Sequence, residues 1–163
     1  MTTRDAIVQV NLALTAVFAV TATMAAVVFS TTWQWIGAVT AMVLFTIGVF
    51  AFLWSYWNAV QRSRTDEIAV TQLYLLMGEA IPSPVRRVMN LTLTTQFLIA
   101  LATTLARPDG PDGNPGSSLA VGFLVPMLGF GLNGLWAVYH GNFAARTQLR
   151  ATQEEIRQNA DHG

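Results

Sequence analysis

The sequence predicts an all-α fold: an integral membrane four-helix bundle with short loops, a cytoplasmic interfacial segment and a short amphipathic C-terminal tail. Three observations predict it. First, 53% of the 163 residues are hydrophobic and 11% are charged, against a usual charged share of about 25%. No acidic or basic residue lies between Asp5 and Arg62, a run long enough for two helices of about 20 residues each. Second, aromatic residues cluster at the ends of the second apolar stretch, Trp33 and Trp35 at one end and Trp54, Tyr56 and Trp57 at the other. Tryptophan and tyrosine favour the headgroup level, so the clusters read as the two belts of one helix. Third, Arg4, Arg62, Arg64, Arg86, Arg87, Arg146, Arg150 and Arg157 share one side of a four-span arrangement, and Arg107 alone falls on the other. That bias predicts both termini in the cytoplasm.

The chain reads as a single membrane domain. Its first span covers residues 7–29, and the polar "STTWQ" at Ser30–Gln34 closes it. A cleaved signal peptide is the competing reading of this stretch, but the apolar run exceeds the usual 7–15-residue core of such a leader. The second span covers 35–57, the third 88–105 and the fourth 119–139. The third carries Asn90, Thr92, Thr94, Thr95, Gln96, Thr103 and Thr104, and its threonines can bond back to carbonyls of their own helix. Helices are expected throughout because lipid offers the backbone no partners.

Two loops and a tail join these spans. "RPDGPDGNPGSS", Arg107–Ser118, is turn-forming and lacks the spacing of a calcium loop. The 62–87 loop has an apolar centre, "IAVTQLYLLMGEAIP", too short to cross as a helix. It suits an interfacial helix or a re-entrant turn packed on the bundle, ending before Pro82 and Pro84. Glu79 within it is a candidate ion, proton or headgroup contact, or else a partner for Arg86 or Arg87. In the tail, 142–163, Leu149 and Ile156 lie seven apart and Arg150 stands four before Glu154, which predicts a short amphipathic helix.

Several chemistries are missing from the sequence. Cysteine is absent and no Walker, H-E-x-x-H or G-x-S-x-G motif occurs. No aspartate, glutamate, lysine or arginine lies within a span, where a proton relay or substrate counter-ion would need one. A two-histidine haem would need a second intramembrane histidine, and His140 stands alone near a span end, which argues against a self-sufficient redox carrier. "GFGLNG" at Gly129–Gly134 fits G-x-G-x-x-G, but it sits inside an apolar span with no preceding strand. We therefore expect no cofactor, no nucleotide, no nucleic acid and no enzymatic activity.

Neutral polar and small residues remain. Gln96 and Asn133 are candidates for interhelical hydrogen bonds, or for a small-ligand or lipid site. On one continuous helix Gly122, Pro126, Gly129, Asn133, Trp136 and His140, spaced 4, 3, 4, 3 and 4, share a face. Gly131, Gly134 and Gly141 share a second, so this helix can touch two neighbours. Pro126 is expected to kink it. Small pairs also occur at Ala22 and Ala26, and at Gly37 and Ala41. His140 reads as an interfacial contact or a solvated terminal histidine.

The strings "RSRTDE", "PVRR" and "VPMLGFGLNGLWAVYHGNF" resemble those of small four-span membrane proteins of actinobacteria. The resemblance implies a bacterial inner-membrane protein and carries over no site residues. The all-arginine basic set also suggests a GC-rich source. The expected partners are the lipid bilayer and other membrane subunits or copies of the chain. The expected role is a structural or accessory subunit of a larger membrane complex; the alternative is a small oligomeric transporter or channel. A membrane-embedded lipid enzyme is the weakest reading, because the spans hold no acid–base or metal set.

Overall fold

A computed structural model describes residues 3–110, 117–146 and 157, with side chains described from residue 6 onward. The leading elements are α1 (Thr3–Val28), α2 (Thr31–Arg62), a five-residue α3 (Val70–Tyr74) and α4 (Ser83–Ala106). A 3-10 segment, Ser118–Leu124, then runs into α5 (Pro126–His140). An isolated antiparallel bridge pairs Asp66 with Ala145. Four stretches are helical, long enough and apolar enough to cross a membrane: Ala6–Val28, Thr31–Arg62, Ser83–Ala106 and Ser118–His140. The expected tail contacts of Leu149, Arg150, Glu154 and Ile156, and the centre of the Arg107–Ser118 loop, lie outside the described residues.

Hydrogen bonds between distant segments fix which helix ends meet. At one end Arg62 donates to Val138 O, Asn90 donates to Leu75 O, and Asn142 N donates to Ala80 O. At the other Ser118 donates to Gln34 Oε1, Thr104 donates to Leu119 O, and Arg107 donates to Ala26 O. Consecutive spans therefore run antiparallel, with an arginine end and a proline–glycine end.

The second helix is longer than the 35–57 stretch read from hydropathy. Ser30 caps its start, accepting from Trp33 N, and it continues past the aromatic belt to Arg62. Its buried residues are Gln34, Gly37, Ala41, Leu44, Gly48, Ala51, Ser55 and Ala59. These recur every three or four positions, so they form one stripe of mostly small side chains. The opposite face exposes Trp35, Val39, Val43, Phe50, Leu53 and Trp57. Apolar residues on that face and small ones inward reverse the usual soluble pattern, as expected where the surroundings are as apolar as the core.

The fourth span is the central one. Most of its residues are buried, whereas under a third are buried in each of the other three spans. It is also broken more sharply than a proline kink. Pro126 has no amide proton and disfavours α geometry in the residue before it. The seven residues ahead of it adopt 3-10 geometry, and an α-helix starts afresh with the proline at its first turn. A helical count across the whole span therefore loses its phase at Val125. Gly122 still faces α1 and α4, where a Cβ would come 3.4 Å from the Phe18 ring and 3.7 Å from Ala100.

Candidate functional site

A cluster of buried polar groups of the spans lies in the arginine half of the bundle, while Gln34 bonds with Ser118 at the other end. Gln96 is fully buried midway along α4, and its amide nitrogen donates to Thr15 Oγ1 at 2.6 Å and Asn11 Oδ1 at 3.3 Å on α1. Asn11, also fully buried, turns its own amide toward Met89 Sδ at 3.5 Å. Nearer the arginine end, Asn133 of α5 donates to Tyr74 O at 2.9 Å and to Asn90 Oδ1 at 3.3 Å. Asn90 in turn donates to Leu75 O at 2.7 Å. Five amide and hydroxyl side chains thus link α1, α4, α5 and the 62–87 loop. Two acceptors in this cluster, Gln96 Oε1 and Asn133 Oδ1, are buried without a hydrogen-bond donor. Three of the threonines do as their position predicts, Thr92, Thr95 and Thr103 donating to Val88 O, Leu91 O and Ile99 O within α4, whereas Thr104 donates across to Leu119 O.

Glycines decide how closely α5 approaches its neighbours. A Cβ on Gly129 would meet Leu93 Cδ1 at 2.7 Å and Gln96 Oε1 at 2.8 Å, both on α4. On the far side a Cβ on Gly131 would fall onto Gly48 O, and one on Gly48 onto Leu128 N. One on Gly134 would fall onto Ser55 Oγ and come 2.8 Å from the Tyr74 ring. The hexapeptide that fits a dinucleotide motif is thus split: Gly129 belongs to the α4 contact, and Gly131 and Gly134 to the α2 contact. Gly141 does not continue that second face. It follows the helix in extended backbone, where a Cβ would crowd Ala137 O and the Phe143 ring. On α1 the small residue meeting α2 is Ala25, whose Cβ is 3.2 Å from the Cβ position of Gly37, rather than Ala26.

The 62–87 loop packs on the bundle. Leu73, Tyr74, Leu76 and Ile81 are buried, and Tyr74 stacks on Phe52 with ring centroids 4.3 Å apart. Burial pushes the Tyr74 phenol above its ordinary value, with the Ser55 hydroxyl opposing that shift. The helix expected here is only Val70–Tyr74. Beyond it Leu76 at φ 54° and Gly78 at φ 94° turn the chain through left-handed backbone. Arg62 secures this end. It pairs with Asp66 at 2.6 Å, donates to Val138 O at 2.7 Å and Gly141 O at 3.0 Å, and lies over the Phe143 ring. Those two carbonyls end α5 and have no partner within that helix. Arg107, the lone arginine at the other end, does the same for α1, donating to Ala26 O and lying over Phe29.

Two expectations are corrected. Glu79 makes no ion pair with Arg86 or Arg87: Arg86 donates to Gly78 O instead, and among the described residues the ion pair is Arg62–Asp66. The left-handed turn at Gly78 sends Glu79 toward a separate notch of about 420 Å³ shared with Glu67, Gln72 and Asn142. His140 is half-buried rather than solvated. Its ring tilts over Trp136 at 5.4 Å, and its Nδ1 is buried without a hydrogen bond.

The residues singled out in the sequence are therefore distributed. Gln96, Gly129 and Asn133 meet around the α4–α5 contact, Gly122 and Pro126 shape the break above it, and at the arginine end Glu79 lies in the 62–87 loop, Arg86 and Arg87 near the start of α4 and His140 at the end of α5. Sequence reasoning missed Asn11, Thr15, Gly48, Ser55 and the capping role of Arg62. In comparison with known proteins, no family model, no curated protein and no solved structure matches this chain.

Proposed function

We propose that the chain is a multi-pass protein of a bacterial inner membrane, with both termini cytoplasmic, acting as a structural or accessory subunit of a larger membrane assembly. One observation carries this reading. The polar and small residues inside the spans are engaged with one another: Gln96 with Asn11 and Thr15, Asn133 with Asn90 and Tyr74, and Gly48 with α5. Interhelical hydrogen bonds and close glycine contacts are the means by which membrane helices hold together without a hydrophobic drive between them. A scaffold with its interior used in this way presents its lipid-type faces to neighbours. The all-arginine, one-sided charge distribution supports the orientation.

One observation favours the alternative of a small oligomeric transporter or channel. Gln96 Oε1 and Asn133 Oδ1 are bare acceptors deep in the cluster, suited to a passing donor or cation. Purification in mild detergent distinguishes the two. A partner that remains at fixed stoichiometry through two successive separations supports the subunit. A homo-oligomer whose Thr15→Cys variant reacts with a water-borne thiol reagent supports the channel and contradicts the subunit.

A further inference from the structure

The corrected position of Glu79 leaves a consequence for its neighbours. Between the Gly78 turn and the start of α4 lies a cleft of about 400 Å³ lined by Met77, Gly78, Arg86, Arg87 and Asn90. No carboxylate is among these lining residues, because Glu79 and Glu67 line the other notch, on the far side of the same turn. The turn thus sorts charge, with acids to one side and two guanidinium groups to the other. Arg86 is held in place by Gly78 O at 3.0 Å, which occupies one of its five donors. Arg87 is exposed, and among the described residues its guanidinium has no hydrogen-bond partner.

We propose that this cleft binds the phosphate-bearing headgroup of an anionic phospholipid, with Arg86 and Arg87 as its cationic contacts. The surface below the cleft favours a lipid over a free anion. Arg87, Leu91, Thr94 and Leu98 are spaced 4, 3 and 4, so they share one face of α4, and all four are exposed. A fixed positive charge therefore heads an open, mainly apolar stripe, which matches a molecule with an anionic head and an acyl tail. The position also fits: the cleft sits at the end of a candidate span, beside the arginine-rich loops, where headgroups lie. The Met77 side chain supplies an apolar wall, and the Asn90 side chain, already bonded to Leu75 O and Asn133, leaves the two arginines as the contacts for the phosphate. The inference rests on the chain lying in a bilayer.

The full chain, in nanodiscs of phosphatidylcholine with graded phosphatidylglycerol, tests this by native mass spectrometry of retained lipid and by titration. The expected result is preferential retention of phosphatidylglycerol. An arginine near an anionic surface contributes on the order of a fivefold change in binding. Arg87→Gln should therefore weaken retention about fivefold and the Arg86→Gln, Arg87→Gln pair about 25-fold. Arg64→Gln, also exposed at this end but outside the cleft, should change it less than about twofold. Unchanged helical circular dichroism shows that each variant is folded, and Arg87→Gln keeps the test valid should loss of the Arg86–Gly78 bond loosen the loop. Equal weakening by Arg64→Gln, or no weakening by Arg87→Gln, overturns the proposal. So does inorganic phosphate displacing the lipid at comparable concentration, which would make the cleft a free-anion site. Alkaline extraction of native membranes separates the two levels of failure. A chain that leaves the membrane overturns the bilayer reading, whereas one that stays and retains no phosphatidylglycerol overturns the cleft alone.

Discussion

Toward α2, α5 presents Gly131 and Gly134, and backbone meets backbone at Gly48; toward α4 and the 62–87 loop it presents Gly129 and Asn133, and side chains fill the space between. The difference lies in what can give way. On the α2 side the atoms in the path of a carbon added at Gly131 or Gly48 include Gly48 O, Leu128 N and the Ala51 Cβ, carried on two helical backbones that move only as rods, while one added at Gly134 meets the Ser55 hydroxyl. On the α4 side the two nearest are Leu93 Cδ1 and Gln96 Oε1, the free ends of side chains with other rotamers, with the fixed Leu93 Cβ farther off at 3.2 Å. One helix is therefore held rigidly on one face and adjustably on the other. The adjustable face carries the polar cluster and its two bare acceptors.

The largest effect should follow from breaking the rigid face. Gly48→Leu sets a branched side chain against the Leu128 amide, and overpacking of ordinary cores already costs about 1–3 kcal/mol. Here the obstacle is main chain, so we expect at least about 3 kcal/mol and no folded bundle, read as loss of cooperative unfolding in detergent. Next comes Arg62→Gln, which removes a charged donor from Val138 O and Gly141 O and leaves Asp66 unpaired. Hydrogen bonds to charged groups contribute about 1.5–3 kcal/mol, and a loss in that range should appear with early fraying at the end of α5 in hydrogen exchange. The adjustable face should respond less. Gln96→Leu and Asn133→Leu should each cost about 0.6–2 kcal/mol in the same unfolding assay, with membrane insertion unaffected. A larger loss from either than from Gly48→Leu would invert the comparison. Smallest is Glu79→Gln. With no ion pair to lose, it should fall within about 0.5 kcal/mol of the parent protein.

The two faces also differ in how far the sequence discloses them. Gln96 and Asn133 stand out because amides are rare in apolar helices, and both lie in interhelical hydrogen bonds. Their partners are less conspicuous. Asn11 and Thr15 sit early in the first span, where a polar residue reads equally well as lying near the water. The division of Gly129 from Gly131 and Gly134 follows from helical period alone, since three and four residues return to one face and two do not. The α2 stripe was also within reach, because Gly37, Ala41, Gly48, Ala51, Ser55 and Ala59 keep a 3–4 spacing over most of the helix. Only its first pair attracts notice, as Leu44 interrupts the run of small residues. The loop contacts are a different matter. Whether Glu79 meets Arg86 or turns away depends on left-handed backbone at Leu76 and Gly78. Leucine gives no local signal for that conformation, and the buried packing of Leu73, Tyr74 and Leu76 over α5 imposes it. The 3-10 segment is similarly hidden: Pro126 announces a break, but its extent depends on how Gly122 seats against Phe18 and Ala100.

The most direct test of the two-faced seating of α5 adds one methyl group to each side of the same helix. Gly129→Ala and Gly131→Ala carry the same gain in helix propensity, about 1 kcal/mol, so the difference between them isolates the contact each methyl meets. Unfolding of both variants in one detergent supplies that difference. The structure predicts that Gly129→Ala stays within about 1 kcal/mol of the parent as Leu93 and Gln96 shift, while Gly131→Ala, driven against Gly48 O, loses about 2 kcal/mol or more. Equal losses, or a greater loss from Gly129→Ala, would contradict it.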